Sequence, residues 1–355
     1  MLAMPPTVYS SLPLHGPARV QAVATQRGEQ LALADAGRPL KLVTLNDGGR
    51  RGWTPEGASR DARRAAQDEN AIGYIGEFNS GASHVALPIL NEAGIAMISP
   101  SNTAPGLTRG GPGTMPGEPF KYYPTGQLNY FRLAPNDHIQ GAALAAEMRG
   151  AGCRRSALLD DHELYGEGIA GTVARRMTAV VRRHVRRRAH YTALARALRH
   201  ARADCVLYGG LTANGAVALF RDVGRALPRA RLFGADGIAE PAFTARIPRS
   251  VARRTRLTAP TLAPADYPPA GQRAIAASGD VYAAYGYEAM KLLIDAYTIA
   301  GPNRLAVIGW LQQVHNRAGA IGTFGFDRHG DTTDRMVGLY AIRDGALTAA
   351  GTVSG

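Results

Sequence analysis

Short apolar runs alternate with segments of helical spacing along almost the whole chain. The runs have the length and the β-branched or aromatic content of buried strands, and the segments between them carry the apolar spacing of helices. Strands that alternate with helices form parallel sheets, because each helix returns the chain to the same edge. The runs are TVYSSL, LKLVTLND, AIGYIG and IAMISP, then SALLDD, TAVVRR, DCVLYGG, ARLFGAD and RLTAP.

The alternation begins again after the stretch NYFRLAPND. A chain of 355 residues is long enough for two domains of ordinary size. We therefore predict an α/β fold with two doubly wound parallel sheets. Residues 108–127, rich in Gly and Pro, are expected to form an irregular excursion, and residues 281–300 a helix. A hairpin-like tail with turns at Gly330 and Gly345 closes the chain.

The composition is that of a soluble globular protein. Hydrophobic residues make up 45% and charged residues 19% of the chain, and no apolar run is long enough to span a bilayer. The N-terminal stretch MLAMPPTVYSS lacks the basic leader and the apolar segment of a secretory signal. The protein is therefore either cytosolic or exported with a leader that is absent from this chain.

The net charge of +13 raises the possibility of a nucleic-acid or anionic-membrane partner. The excess is carried by arginine and is densest in residues 174–204, where the pattern predicts a solvated amphipathic helix with arginines on its outer face. No helix-turn-helix or RNA-binding signature accompanies it, so we expect no nucleic-acid partner. The apolar face consists of Tyr191, Leu194, Ala195 and Leu198, and the outer face of Arg196, Arg199 and Arg202.

The chain contains two cysteines, Cys153 and Cys205, which lack metal-ligand spacing. Each is expected at the start of a strand in the same half of the chain. A disulfide between neighbouring strands is therefore possible if the compartment is oxidising.

Two motifs resemble a dinucleotide site and a metal site, but the surrounding sequence supports neither. GEGIAG, residues 166–171, has the G-x-G-x-x-G spacing, yet it begins several residues after the strand end and Glu167 would repel a pyrophosphate. Asp160 and Asp161 beside His162 could bind a metal, but no second group of ligands is near in sequence, which favours solvated loop residues. With no nucleophile elbow or P-loop either, we expect no cofactor, no metal and no enzymatic activity.

The strand ending at Gly76 leads through small polar residues into a helical pattern over residues 82–93. The first N–H groups of such a helix lack partners within the helix and suit a small anion. The alternative is that a serine simply caps an ordinary strand-to-helix turn.

Seven stretches together resemble, in their order, type I periplasmic solute-binding proteins, and most closely the branched-chain amino-acid (Leu/Ile/Val) branch of ABC importers. The resemblance covers nearly the whole chain and is most specific over residues 75–108. The stretches are SSLPLHGPARVQAVATQRGEQLAL, YIGEFNSGASHVALPILNEAGIAMISPSNTAPGLT, YFRLAPNDHIQGAALA, LLDDHELYGEGIA, ADCVLYGG, LFGADGI and GTFGFDRHGD.

The resemblance implies two α/β lobes that hold a ligand between them and are joined by three hinge segments. Lobe 1 would comprise residues 1–131 and 259–328, and lobe 2 residues 132–258 and 329–355. The hinges would lie near residues 131–133, 258–261 and 326–331.

The resemblance also implies a site for an α-carboxylate in lobe 1. Asn79 and Ser80 match the turn that binds it, together with the helix N-terminus that follows. In the second turn, SPSNTAP, Ser101 would offer backbone groups and Thr103 a hydroxyl, with Asn102 between them. The alternative for Ser80 and Thr103 is a capping role.

In lobe 2, Tyr165 matches a pocket tyrosine of the family and Asp236 the acidic residue that pairs with the ligand's ammonium. A zwitterion enters a dry cleft only if both charges meet partners. The alternatives are packing for Tyr165 and turn formation for Asp236. The chain departs from the family where Leu211 replaces an aromatic residue, and where Asp280 and Tyr282 occupy the far wall, so the ligand side chain stays open.

The function implied by the resemblance is that of an extracytoplasmic, monomeric substrate-binding component of an ABC importer. It would trap an amino acid or a related small polar metabolite by lobe closure and deliver it to a membrane permease. The alternative is a cytoplasmic ligand-sensing regulator of the amide-sensor type with the same fold.

Overall fold

The computed structural model describes residues 5–111 and 113–355, which form two compact units. Unit 1 comprises Met1–Gly110, Met115–Pro135 and Ala263–Asp334, and unit 2 comprises Gly111–Thr114, Asn136–Leu262 and Arg335–Gly355. The resemblance predicts lobe limits at residues 131, 258 and 328, and each of these lies a few residues before the corresponding boundary between the two units. The first four residues of the N-terminal stretch, and Pro112 of the excursion, lie outside the described residues.

Strands and helices alternate in the order that the sequence predicts. Up to residue 132 they are β1 (Thr7–Ser11), α1 (Arg19–Asp35), β2 (Lys41–Leu45), β3 (Gly48–Gly49), β4 (Gly52–Trp53), α2 (Pro55–Gln67), β5 (Ala71–Ile75), α3 (Ser80–Glu92), β6 (Ala96–Ser99) and β7 (Tyr130–Arg132). Next come α4 (Asp137–Gly150), β8 (Ser156–Asp160), α5 (Leu164–Ala174), β9 (Ala179–His184), α6 (Thr192–His200), β10 (Cys205–Gly209), α7 (Ala216–Ala226), β11 (Arg231–Gly234), α8 (Pro241–Thr244), α9 (Arg249–Ala252) and β12 (Thr255–Ala259). The last are α10 (Pro269–Ser278), α11 (Tyr282–Ala300), α12 (Arg304–Gln312), β13 (Arg317–Gly319), β14 (Gly322–Phe324), β15 (Met336–Arg343) and β16 (Ala346–Ser354).

Unit 1 is built on a parallel sheet with the strand order β2-β1-β5-β6-β7. Its central strands β1, β5 and β6 are buried along their whole length, as expected of a sheet covered by helices on both faces. Two glycines let α1 and α11 approach closely. A Cβ atom on Gly28 would lie 2.0 Å from the carbonyl oxygen of Ala283, and one on Gly286 2.0 Å from that of Thr25.

Unit 2 has a seven-stranded sheet with the order β16-β15-β12-β11-β10-β8-β9. The strands from β12 to β9 are parallel, whereas β15 and β16 form an antiparallel hairpin at one edge. Asp344 and Gly345 connect the hairpin with positive φ angles of 47° and 80°, the turn that an Asp-Gly pair favours. The prediction of an α/β fold with two parallel-sheet lobes is confirmed, with this antiparallel addition.

The arginine-rich segment forms the edge strand β9 and the amphipathic helix α6. Leu194, Ala195 and Leu198 are buried in the core of unit 2, while the arginines of α6 are exposed. The predicted apolar face is therefore confirmed, and the absence of a nucleic-acid partner stays a prediction. Among the described helices, none combines the length and apolar character needed to cross a membrane.

Cys153 and Cys205 form a disulfide with a Cα–Cα distance of 5.6 Å. Cys205 is the first residue of β10, which pairs with β8. Cys153 does not begin a strand as predicted, because the loop after α4 continues for two residues beyond it before β8 starts at Ser156. The bridge therefore connects a loop to a strand.

We expect the Cys153→Ala/Cys205→Ala variant to lose about 2–4 kcal/mol of unfolding free energy, because the bridge restricts the unfolded chain. The residues it joins are 52 apart in sequence, which makes the closed loop long. Urea denaturation of the oxidised wild type and the variant measures the loss. Reduced wild-type protein serves as the control and should unfold at the variant's midpoint. Equal midpoints for oxidised and reduced protein would contradict the expectation.

Candidate functional site

The turn after β5 presents the N-terminus of α3 at the carboxyl edge of the unit 1 sheet. Asn79 is the N-cap residue, in extended conformation (φ −96°, ψ 135°), and its side chain makes no capping hydrogen bond. The first N–H groups of α3 are therefore left without a side-chain cap. Ser80, the first helical residue, is buried, and its Oγ accepts a hydrogen bond from the backbone N of Ala104 at 3.3 Å.

Ser101 and Asn102, in the loop after β6, hold this turn in place from behind. Ser101 Oγ donates to the carbonyl oxygen of Phe78 at 2.7 Å, and Asn102 Nδ2 donates to the carbonyl oxygens of Glu77 and Phe78, both at 3.0 Å. The backbone N–H groups of both residues donate to Ser99 Oγ. These contacts assign Ser101 and Asn102 a positioning role, and their contact with a ligand stays a prediction.

Thr103 differs from its two neighbours. Its side chain is buried, with 1% of the residue exposed, and Oγ1 makes no hydrogen bond with any described residue. A buried hydroxyl without a partner costs about 1–3 kcal/mol. Thr103 can therefore donate to an acceptor that this protein does not itself supply.

The charge of Glu77 matters because it directly precedes this turn. Its carboxyl group is buried and accepts a hydrogen bond from Tyr74 at 2.5 Å. Burial and the nearby Asp47 carboxylate raise the pKa of Glu77 well above its usual value. A neutral Glu77 does not repel an anion bound at the N-terminus of α3.

Aromatic side chains border the same turn. The Tyr282 ring, on the first residue of α11, contacts Phe78 edge to face with 5.0 Å between centroids. Asp280 is two residues earlier and its Oδ1 accepts from the backbone N of Tyr282 at 3.0 Å, so it supports the start of α11. A Cβ atom on Gly81 would lie 2.4 Å from Trp53, which places this indole against α3.

In unit 2, Asp236 is held between two hydrogen-bond donors. Its Oδ1 accepts from Tyr165 OH at 2.9 Å and from Gln140 Nε2 at 2.8 Å. Tyr165 OH in turn accepts from the backbone N of Gly237 at 3.0 Å. The hydrogen bonds from Tyr165 and Gln140 both end on the same carboxylate oxygen. The structure thus connects Tyr165 and Asp236, two predicted site residues 71 positions apart.

The environment of Asp236 opposes its charge. Burial raises the pKa of its carboxyl group to about 6, although the hydrogen bonds from Gln140 and Tyr165 favour the ionised form. Burial and the same carboxylate raise the pKa of Tyr165 well above its usual value, so Tyr165 stays a neutral donor. A cation bound to the Asp236 carboxylate would offset the cost of this charge.

Leu211 is fixed close to this pair. It packs against the hydrophobic cluster that contains Tyr165, and its backbone N donates to Asp161 Oδ2 at 2.8 Å. Asp161 is buried, as is Asp160, which corrects the expectation of solvated loop residues. The glycines of GEGIAG serve packing: a Cβ atom on Gly166 would lie 2.0 Å from Asp161 Oδ1.

Sequence reasoning missed Gln140, Phe78 and Trp53. Gln140 had no visible signal, because its partners Asp236 and Thr258 come from distant segments. Phe78 stands within the quoted turn, directly before Asn79. Gly81 is the signal for Trp53, since the indole leaves no room for a side chain there.

Comparisons with known proteins identify the family to which the chain belongs. A family model described as periplasmic binding protein matches residues 10–346. An amino acid binding protein of Pseudomonas aeruginosa is 27% identical over 325 residues, covering 87% of this chain and 81% of that protein. The Leu/Ile/Val-binding protein BraC3 of Rhizobium johnstonii is 24% identical and covers 97% and 93% of the two chains. The crystal structure of the leucine binding protein LivK from Thermotoga maritima superimposes with a TM-score of 0.85, at 20% identity and 98% coverage of both chains.

The fold is that of type I periplasmic binding proteins, a class of substrate-binding proteins and not of enzymes. The chain belongs to the periplasmic binding protein family. Members of this family that serve ABC importers work outside the cytoplasm.

Proposed function

We propose that the protein is the substrate-binding component of an ABC importer and that its ligand is a free α-amino acid. The observation that carries this proposal is the Asp236 carboxylate, which Tyr165 and Gln140 hold through the same oxygen and which forms no ion pair with any of the described residues. Such a group is suited to an ammonium ion. The amino-acid and Leu/Ile/Val-binding relatives support the same ligand class.

Unit 1 would bind the ligand's carboxylate. The N–H groups at the start of α3, beginning with Ser80, and the unpaired hydroxyl of Thr103 are donors at adjoining strand ends. Each unit would thus neutralise one charge of the zwitterion. A ligand that gains contacts with both lobes favours the closed state by its differential affinity, and closure is what a permease can recognise.

The ligand's side chain would be apolar. Phe78 and Tyr282 in unit 1 and Leu211 in unit 2 are apolar or aromatic groups next to the proposed charge sites. Asp280 accepts a hydrogen bond from the backbone N of Tyr282 at the start of α11. This composition favours leucine, isoleucine or valine over a charged amino acid.

An extracytoplasmic location fits the disulfide between Cys153 and Cys205, because such bonds persist in oxidising compartments. The same bond weighs against a cytoplasmic ligand-sensing regulator. The partner in this proposal is a membrane permease, and no nucleic acid takes part. The protein acts as a monomer.

Thermal melts against the twenty amino acids test the ligand class. A free amino acid at about 100 times its dissociation constant is expected to add about 2.7 kcal/mol to the unfolding free energy. Leucine, isoleucine or valine should give the largest shift. Their N-acetyl and amide derivatives are the matched controls and should give none, because each removes one charge. An equal shift with a small carboxylate that lacks an amino group would overturn the amino-acid assignment.

A further inference from the structure

Two histidines and a glutamate converge at one end of the edge strand of unit 2. His162 follows β8, Glu167 is in the first turn of α5, and His184 is the last residue of β9. One ring nitrogen of each histidine and one carboxylate oxygen of Glu167 all lie within 4.8 Å of one another. The imidazole centroids are 4.7 Å apart. We refer to these three residues as the His-Glu-His cluster.

A buried carboxylate fixes both histidines. Asp160 Oδ1 lies 2.6 Å from His184 Nδ1 and accepts from the backbone N of His162 at 3.0 Å. A carboxylate that contacts one ring nitrogen of a histidine orients the ring. The same nitrogen of His184, Nδ1, also lies 3.7 Å from Glu167 Oε1, and His162 Nδ1 contacts this oxygen as well. His162 itself has a positive φ of 64°, a conformation that only a defined loop maintains in a non-glycine residue.

We propose that the His-Glu-His cluster binds a divalent transition-metal ion of the zinc type, with Asp160 as the residue that positions His184. Two imidazoles and one carboxylate form a known three-ligand set for zinc, in which water completes a tetrahedron. Bonds of about 2.0–2.2 Å would require the ligand atoms to move somewhat closer together. The histidine side chains can do so, since they are 62% and 60% exposed.

The charges balance for such an ion. With neutral imidazoles, Glu167 and Asp160 together supply two negative charges, which a dication neutralises. An open groove of about 610 Å³ borders the cluster and is lined by His162, His184 and His190 together with Arg183, Arg186 and Arg188. It gives the ion an entry path and leaves room for the water ligand.

The sequence could not show this cluster, because His184 is 22 residues beyond His162 and reaches it only through the pairing of β8 with β9. The proposal also does not depend on the amino-acid site. None of the four residues is among the groups proposed to bind the amino acid, so the metal can bind whether or not the proposed function holds.

Calorimetric titration with Zn²⁺ alone, on oxidised protein without a histidine tag, tests the proposal. We expect one Zn²⁺ per chain in the wild type, and visible absorption of bound Co²⁺ typical of a four-coordinate site. His162→Ala/His184→Ala should weaken binding by more than about 100-fold, and Asp160→Asn by about 10- to 100-fold. Because His162 and His184 are exposed, their replacement is expected to leave the fold intact, which the thermal midpoint checks.

His200→Ala is the matched control, since it removes an exposed histidine on α6 that is outside the cluster. It should bind Zn²⁺ as the wild type does. No binding at millimolar Zn²⁺, or equal binding by the wild type and the His162→Ala/His184→Ala variant, would overturn the proposal and leave only ion pairs between these side chains.

Discussion

Replacing Asp331 by asparagine is expected to lower the unfolding free energy by about 3–5 kcal/mol at neutral pH, because it leaves a buried arginine without its counter-charge. Arg132 is fully buried, and its Nε lies 2.8 Å from Asp331 Oδ1. Arg109 Nε approaches the other oxygen at 2.5 Å, and Thr108 Oγ1 donates to Oδ1 at 2.8 Å. The four side chains connect the end of β7 with the loop before β15.

The pH dependence of stability gives a second measure of this carboxylate. Burial alone would raise the pKa of Asp331, but Arg132 and Arg109 prevail and hold it below the usual value. A carboxylate with a lowered pKa stabilises the protein above its unfolded-state pKa of about 4, and this contribution is lost as the pH falls through the folded-state value. As the pH is lowered below about 4, the unfolding free energy of the Asp331→Asn variant should therefore fall less than that of the wild type.

Asp327→Asn provides the comparison for this experiment. Asp327 also pairs with Arg109, but both side chains are about one-third exposed, so the expected loss is about 1 kcal/mol or less. Urea denaturation of both variants at pH 7 gives the two values. A loss no larger for Asp331→Asn than for Asp327→Asn would show that the buried pair contributes no more than the exposed one.

The sequence predicted the strands best where they are buried on both faces. Short, continuous apolar runs such as AIGYIG and DCVLYGG are typical of buried strands in an α/β chain, and β5 and β10 occupy these two runs. The short hairpin of β3 and β4 escaped prediction, since two-residue strands carry no periodicity. Cys153 shows a similar limit: an apolar residue near a strand does not reveal where the loop ends.

The site was predictable as far as the family resemblance extends. The Thr103 hydroxyl has no hydrogen-bond partner among the described residues and Asp236 is bonded to Tyr165, while the ligand-binding roles of both residues stay predictions. Asn102 has all its side-chain atoms engaged within unit 1, with Ser83 and Tyr130 at Oδ1 and two carbonyls at Nδ2. Sequence spacing cannot show which side chains are already hydrogen-bonded within the protein, because their partners come from other strands.

Replacing Asp236 by asparagine is expected to weaken amino-acid binding by about 2–5 kcal/mol, or about 30-fold to several thousand-fold. The amide has the shape of the carboxylate, so the hydrogen bonds from Tyr165 and Gln140 to Oδ1 can persist. What is lost is the negative charge that is proposed to face the ligand's ammonium. Calorimetric titration with the amino acid that gives the largest thermal shift measures the difference. Asp344→Asn removes the same charge at an exposed turn of unit 2 and should bind as the wild type does.

The pH profile separates a lost charge from a disturbed fold. Because burial raises the pKa of Asp236 to about 6, wild-type affinity should be constant above that pH and fall by about tenfold per unit well below it. The ligand keeps both of its charges between about pH 4.5 and 7. Tyr165 does not titrate in this range, since its pKa is raised by burial and by Asp236 and Asp137. In Asp236→Asn this fall should disappear. If the variant instead keeps the wild-type affinity and the same fall below pH 6, then another group binds the ammonium and the role of Asp236 is refuted.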